Sequence, residues 1–229
     1  MPQDSCNYYS QNLNSQKLYQ VYDTKIPRVK RYLDEEISFV RGQLIGCERV
    51  LEIGAGYGRI LKELAPYASL FVGIDISEMS IKLGRELLHE YPHVALEVID
   101  AHELDLEEEF DVVLCLQNGL SAMNGEAANL VRRSLNSLRK GGKAYFSTYS
   151  NKFWEHRIAW FMEQADKGLL GKIDEEQTKN GVIICEGGFK AVTFTEEDFV
   201  RLGKLSGYRY EIREVDESSL FLVITKTKN

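Results

Sequence analysis

Four short apolar runs, three of them followed by a helical pattern, set the fold before any single residue is considered. ERVLEI (48–53), SLFVGID (69–75), VALEVID (94–100) and FDVVLCL (110–116) are nearly continuous rather than alternating. That is the pattern of strands covered on both faces, as in parallel sheets flanked by helices. Between them, 57–64 carries Ile60, Leu61 and Leu64 at helical spacing. The next stretch, 77–90, does the same with Met79, Ile81, Leu83, Leu87 and Leu88, and Ser77 stands where an N-cap is expected. A third helix is expected over 127–139, ending in a basic turn before Gly141-Gly142, and a fifth strand, KAYFSTYS, follows. Strand and helix alternating in this way imply right-handed crossovers and a doubly wound, mostly parallel sheet of the α/β class.

Beyond residue 150 the alternation stops. Residues 151–194 read as an inserted cap after strand five, with a helix over 154–167, an acidic stretch and a hairpin, VIIC-EGG-FKAVTF. Thr195-Glu-Glu-Asp198 has the form of a capping box, with aspartate in place of the usual Glu or Gln. YRYEIREV and LFLVITKTK, separated by Asp-Glu-Ser-Ser, suit an antiparallel pair that closes the sheet. The expected organisation is an N-terminal helical lid and first helix (1–47), an α/β core (48–150), the cap (151–194) and a closing helix and strand pair (195–229). All four parts form one structural domain, and 229 residues suffice for its core.

Sheets of this kind bind ligands beyond the C-terminal ends of their strands. There the first strand runs into VLEIGAGYGRI (50–60), with glycines at every second position and an acid, Glu52, just before them. The phosphate-cradling form of such a loop ends in Gly-Lys-Ser/Thr, which is absent, and the dinucleotide form GxGxxG sets its third glycine one residue later. An acid beside the loop suits a cationic or hydroxyl-rich ligand better than a phosphate. Asp75, ending strand two, stands where a carboxylate takes ribose hydroxyls. Asp100, ending strand three, is suited to the exocyclic amine of adenine. Together these describe a site for an adenosine without phosphates.

Glu52-Ile-Gly-Ala-Gly-Tyr-Gly58, Asp75, Asp100-Ala101 and Lys140-Gly-Gly142 together resemble the class I S-adenosylmethionine-dependent methyltransferases over 48–150. The resemblance implies a seven-stranded sheet with its last strand antiparallel. It also implies S-adenosylmethionine as cofactor and S-adenosylhomocysteine as product. Gly54, Ala55, Gly56, Tyr57 and Gly58 would lie against the methionine and ribose, and Asp75 would bind the ribose hydroxyls. Ile76 and Met79 would sit beside the adenine, and Asp100 and Ala101 at its edge. Leu116, Gln117 and Asn118, after strand four, complete the expected cofactor set. Upstream, Tyr8, Tyr9, Tyr19 and Tyr22 precede a helix opened by Pro27. This segment is expected to fold over the cofactor as a lid, with Tyr22 near the sulfonium and Arg28 near the methionine carboxylate. The alternative is a surface helix with half-buried tyrosines.

The acceptor is less constrained. The loop Leu116-Gln-Asn-Gly-Leu-Ser-Ala-Met123 lacks the Pro-Pro-aromatic pattern of enzymes that methylate exocyclic amines of nucleic acids. It resembles the corresponding loop of small-molecule enzymes such as glycine N-methyltransferase. Asn118, Tyr149, Trp154 and His156 are the acceptor-side candidates, and His156 is a base that titrates near neutral pH. Transfer to a small-molecule N or O acceptor by in-line displacement is the expected activity. An RNA (tRNA) methyltransferase is the alternative if Lys25-Arg28-Lys30-Arg31 and Arg132-Arg133-Arg139-Lys140 share one basic face. A non-catalytic S-adenosylmethionine-binding protein is another. The net charge of −7 argues against nucleic acid as the main partner. The scattered Cys6, Cys47, Cys115 and Cys185 lack metal-ligand spacing. Without a signal-peptide pattern or a long apolar run, a cytoplasmic protein with no membrane partner is expected.

Overall fold

Parallel pairing spreads outward from β1 (Arg49–Ile53), which lies between β2 (Leu70–Asp75) and β4 (Phe110–Cys115). The computed structural model describes Leu13 and residues 15–227, so Cys6, Tyr8 and Tyr9 lie outside the described residues. β3 (Val94–Val98) extends the sheet beyond β2, and β5 (Leu138–Tyr149) extends it beyond β4, all in parallel. β8 (Arg209–Val215) and β9 (Ser219–Thr225) complete seven strands in the order β3-β2-β1-β4-β5-β9-β8. The last strand, β9, is antiparallel to both of its neighbours and is therefore an interior strand.

Strand residues alternate between faces, and each face has its own core. Leu51, Ile53, Val113 and Phe146 pack with α6 (Ala127–Ser137) and α8 (Glu196–Ser206). Val50, Phe71, Leu114 and Tyr145 pack on the opposite face, with α2 (Pro27–Arg41), α3 (Arg59–Leu64) and α4 (Glu78–Leu87). The basic clusters on α2 and α6 thus lie on opposite sides of the sheet. Their arginines are also engaged: Arg28 and Arg31 with Asp216, Arg133 with the Leu104 carbonyl, Arg139 with Asp111. The single basic face required for the RNA alternative is not formed.

The caps follow the sequence closely. Ser77 Oγ accepts from Ser80 N at the start of α4, and Thr195 and Asp198 form a reciprocal capping box on α8. One boundary differs. The helix expected to run to Arg139 stops at Ser137, and Leu138 enters β5 opposite Phe110. Leu138 is fully buried there, and that burial outweighs two more residues of exposed helix. The Gly141-Gly142 pair then serves the strand, not a helix C-cap. Gly141 has φ +90°, and a Cβ on Gly142 would lie 2.8 Å from the Asp111 carbonyl oxygen.

A third cluster lies over the C-terminal ends of the central strands. It joins Val21 of α1 (Ser15–Tyr22), Val29 and Tyr32 of α2, Phe153, and Trp160 and Phe161 of α7 (Trp154–Asp166). Ile183 and Ala191 of the small hairpin β6 (Val182–Ile184) and β7 (Lys190–Val192) belong to it too. Polar ties reinforce the packing. Trp160 Nε1 donates to the Val21 carbonyl (3.1 Å), and Glu163 accepts from Thr24 Oγ1 (2.6 Å) and Lys25 N (2.7 Å). The N-terminal segment and the cap therefore form one roof.

The glycine at the start of α3 gives a direct check of this packing. Gly58 has φ +77°, and an added Cβ would meet Leu88 Cδ1 at 2.5 Å. Gly58→Ala is expected to lower the unfolding free energy by at least ~1 kcal/mol. An unchanged urea midpoint would contradict the contact.

Candidate active site

The chain leaves β1 through a turn in which Gly54, Gly56 and Gly58 all have positive φ, a conformation side chains oppose. Gly54 N and Ala55 N both donate to the Ile74 carbonyl (2.9 Å each), tying the turn to β2. Asp75 Oδ2 accepts from Gly56 N (2.9 Å) and Oδ1 from Ser77 N (2.8 Å). One carboxylate thus fixes the glycine turn and the entry to α4. Burial pushes the Asp75 carboxyl upward, and those two amide bonds pull it back. At the end of β3, Asp100 Oδ1 accepts from His102 N in the same manner (2.8 Å).

Above these strand ends and below the roof lies a cavity of about 430 Å³, within the range of small-ligand sites. Of the residues anticipated from sequence, Tyr22, Glu52, Gly54, Ala55, Gly56, Tyr57, Asp75, Ile76, Asp100, Ala101, Leu116, Gln117 and Tyr149 line it. Six do not. Gly58 packs on Leu88, and Met79 is 62% exposed on α4. Asn118 is tied into the scaffold, its Nδ2 donating to the Val192 carbonyl and its Oδ1 accepting from Thr148 Oγ1 (2.8 Å each). Arg28 lies over the Phe153 ring and pairs with Asp216, at 2.7 Å. Trp154 is half-buried near Arg157, and His156 is exposed beside Phe153.

Two charged residues that the sequence reading did not assign stand in and beneath the floor. Arg59, directly after the third glycine, lines the cavity and stacks over the Tyr22 ring at 4.5 Å. Its position marked it only as the start of a helix. Glu36 is fully buried on α2. The buried positions 29, 33, 37 and 40 of α2 leave 36 on the same helical face, and that periodicity was the available signal. Glu36 Oε1 accepts from Ser147 Oγ (2.5 Å) and Gln117 N (3.4 Å), and Ser147 Oγ accepts from Gln117 N (2.8 Å). These bonds hold Gln117 at φ +53°, next to Asn118 at φ +62°. Two successive left-handed residues other than glycine are costly and typical of functional loops.

The floor is short of partners. Glu36 Oε2, Glu52 Oε2, Arg59 Nη2 and Gln117 Nε2 are buried atoms with no hydrogen bond. No ion pair joins Arg59 to either acid among the described residues. Burial raises the Glu52 carboxyl from 4.5 to about 8; Arg59 opposes this while Asp75 and Glu36 add to it. Burial likewise raises Glu36 to about 6, against the Ser147 hydrogen bond and the Arg59 charge. Both shifts favour the uncharged form of these acids in the ligand-free floor. Among the described residues no cluster of three His, Cys, Asp or Glu forms a metal site, and no helix is long and apolar enough to cross a membrane.

The fold as a whole is similar to that of solved methyltransferase structures. Residues 50–142 match the family described as the methyltransferase domain. Over that stretch the chain is similar to S-adenosylmethionine-dependent methyltransferases. It is 28% identical over 143 residues to the ubiquinone biosynthesis O-methyltransferase of Idiomarina loihiensis, covering 54% of this chain and 56% of that one. The chain spans about half the length of the curated relatives it matches. Its fold is similar to that of the 1,6-didemethyltoxoflavin-N1-methyltransferase of Burkholderia thailandensis (TM-score 0.64, 18% identity, 100% of this chain and 93% of that one). It is also similar to that of the cyclase SpnF (TM-score 0.61, 14% identity, 84% and 81%).

The buried acid has a measurable signature. Folding raises the Glu52 pKa, so the ligand-free folded state binds more protons than the unfolded chain between pH 4.5 and about 8. Stability should therefore fall as pH rises through that window, at a limiting slope of roughly 1.4 kcal/mol for each pH unit crossed. In Glu52→Gln that loss disappears. The variant should gain on the parent from pH 5 to pH 8 and hold a constant advantage above it. A stability difference independent of pH would show that Glu52 ionises normally.

Proposed function

We propose that this protein transfers a methyl group from S-adenosylmethionine to a small-molecule N or O acceptor inside the roofed cavity. The observation that carries this reading is the floor: a buried carboxylate oxygen of Glu52 and a buried guanidinium nitrogen of Arg59, both without partners, beside the glycine turn. Such a pair suits a ligand with an ammonium and a carboxylate, as at the amino-acid end of S-adenosylmethionine. Asp75 suits the ribose hydroxyls, Ile76 and Ile99 give apolar walls for an adenine, and Asp100 and Ala101 lie at its edge. In this assignment Arg59 takes the carboxylate role anticipated for Arg28.

When bound, the cofactor supplies an electrophilic methyl on a sulfonium sulfur. The chain's own residues contribute orientation and dryness. Glu52 and Arg59 anchor one end of the ligand, and the glycine turn permits close approach of the backbone. Tyr22, Leu18 and Trp160 form the roof that excludes water, so that acceptor and methyl meet without competing solvent. The roof also supports a lid role for 15–22, with Leu18 lying over Gly56.

The relatives named for O- and N1-methyl transfer support a small-molecule acceptor. The likeness to a cyclase keeps a binding role without methyl transfer as the second reading. Calorimetry with S-adenosylmethionine, S-adenosylhomocysteine and NAD, followed by labelled-methyl transfer, separates them. Binding of the two sulfur compounds but not NAD is expected. Glu52→Gln and Arg59→Ala should each weaken that binding about 10-fold or more, whereas Arg28→Ala should leave it unchanged. Loss of affinity in Arg28→Ala but not in Arg59→Ala would reverse the assignment.

A further inference from the structure

Part of the cavity is not used by the cofactor reading, and its chemistry differs from the floor. The residues assigned above to the cofactor's amino-acid end, ribose and adenine follow the ends of β1, β2 and β3, and the expected contacts of Tyr22 and Leu116 lie where the two parts meet. The remainder lies over the ends of β4 and β5, beneath α7, and is walled by Tyr22, Tyr149, Trp160, Phe161 and Leu116. Several of these side chains have their polar or open faces already occupied. Trp160 commits its only donor to the Val21 carbonyl, so its ring alone is presented. Arg157 lies against Tyr149 at 4.4 Å, and Arg59 against Tyr22 at 4.5 Å. The Tyr22 and Tyr149 rings, which could hold an aliphatic cation by cation–π attraction, already carry the protein's own guanidinium groups. What is offered is flat, apolar ring surface.

Besides Gln117 at the floor, a second amide breaks that surface. Gln164, on α7 one turn after Trp160 and beside Phe161, is 3% exposed and lines the cavity. Among the described residues its side-chain amide has no hydrogen-bond partner. An amide that faces the cavity without a protein partner is left to pair with whatever enters, and a ligand that matches it gains that bond. An amide offers one donor edge and one acceptor edge in a plane. The matching ligand edge is likewise planar and carries both.

Resting on the cofactor assignment above, we infer that the methyl acceptor is a planar aromatic or heteroaromatic ring. Its rim carries a hydrogen-bond donor beside an acceptor, and the Gln164 amide holds that rim against the cap helix. Gln164 is thus a specificity residue. It grips the ring and takes no proton.

The test uses the full chain saturated with S-adenosylhomocysteine, with occupancy measured first. Ligand-observed NMR titration then compares catechol and 2-hydroxypyridine with the aliphatic amines ethanolamine and glycine. At least one ring compound should bind and neither amine should. Gln164→Leu should weaken the ring compound about 10- to 100-fold while keeping the parent's affinity for S-adenosylhomocysteine, which also reports that the variant is folded. Gln164→Glu, which keeps the acceptor atoms and loses the donor, should weaken it as well. Binding of an amine in preference to both rings, absence of ring binding, or full ring affinity in Gln164→Leu would each overturn the inference. Failure of the parent to bind S-adenosylhomocysteine would overturn the cofactor reading, and this inference with it.

Discussion

An acid held out of water without an ion-pair partner is the constraint around which this molecule is arranged. Glu52 lies near the end of β1, an interior strand, and shares a face with Val50 and the helices that cover it. Burying an unpaired acid costs several kcal/mol, so a site retains one only as a proton carrier or with a ligand to meet it. The neighbours make sense in that light. α2 covers the acid from below and adds a second one, Glu36. Arg59 supplies the nearest positive charge without neutralising either through an ion pair. Asp75 holds the glycine turn in place, so the opening above Glu52 keeps its shape before anything enters.

The roof obeys a different logic. It is made from parts far apart in sequence, yet they share one apolar cluster and a set of polar ties centred on Glu163. The cap after β5 is therefore not an independent module. Its α7 completes what α1 begins, and each supplies a wall of the same cavity. Floor and roof also divide the chemistry: charged and polar groups collect at the ends of β1 to β3, and ring surfaces collect above β4 and β5.

How much of this was legible in the residues depends on the distance over which each signal acts. The strands, the Ser77 cap and the Thr195–Asp198 capping box depend on neighbours within a few positions, and the sequence carries them openly. The glycine turn and the acids at three strand ends were legible because topology alone brings strand ends together. Arg59 was hidden by position, since an arginine at the start of a helix usually faces solvent. Glu36 was hidden by type, because a glutamate within an apolar helical face is commonly discounted. The fate of Arg28 depended on Asp216, 188 residues away, a pairing no local pattern announces. The end of α6 was misjudged because the basic turn and Gly141-Gly142 imitate a helix C-cap, whereas Leu138 gains more by burial in the sheet.

The interior place of β9 bears on how the chain reaches this structure. β5 pairs with a partner 70 to 82 residues further along, from Tyr149 with Ser219 to Lys143 with Thr225. Contacts of such long separation form late, because the closure entropy of the intervening loop must be met first. Until β9 docks, the edge of β5 presents unpaired backbone along Ala144, Tyr145 and Phe146, whose side chains enter the cores on the two faces. The most apolar edge of the sheet is thus the last to be covered, and during folding it is the natural template for mispairing with another chain.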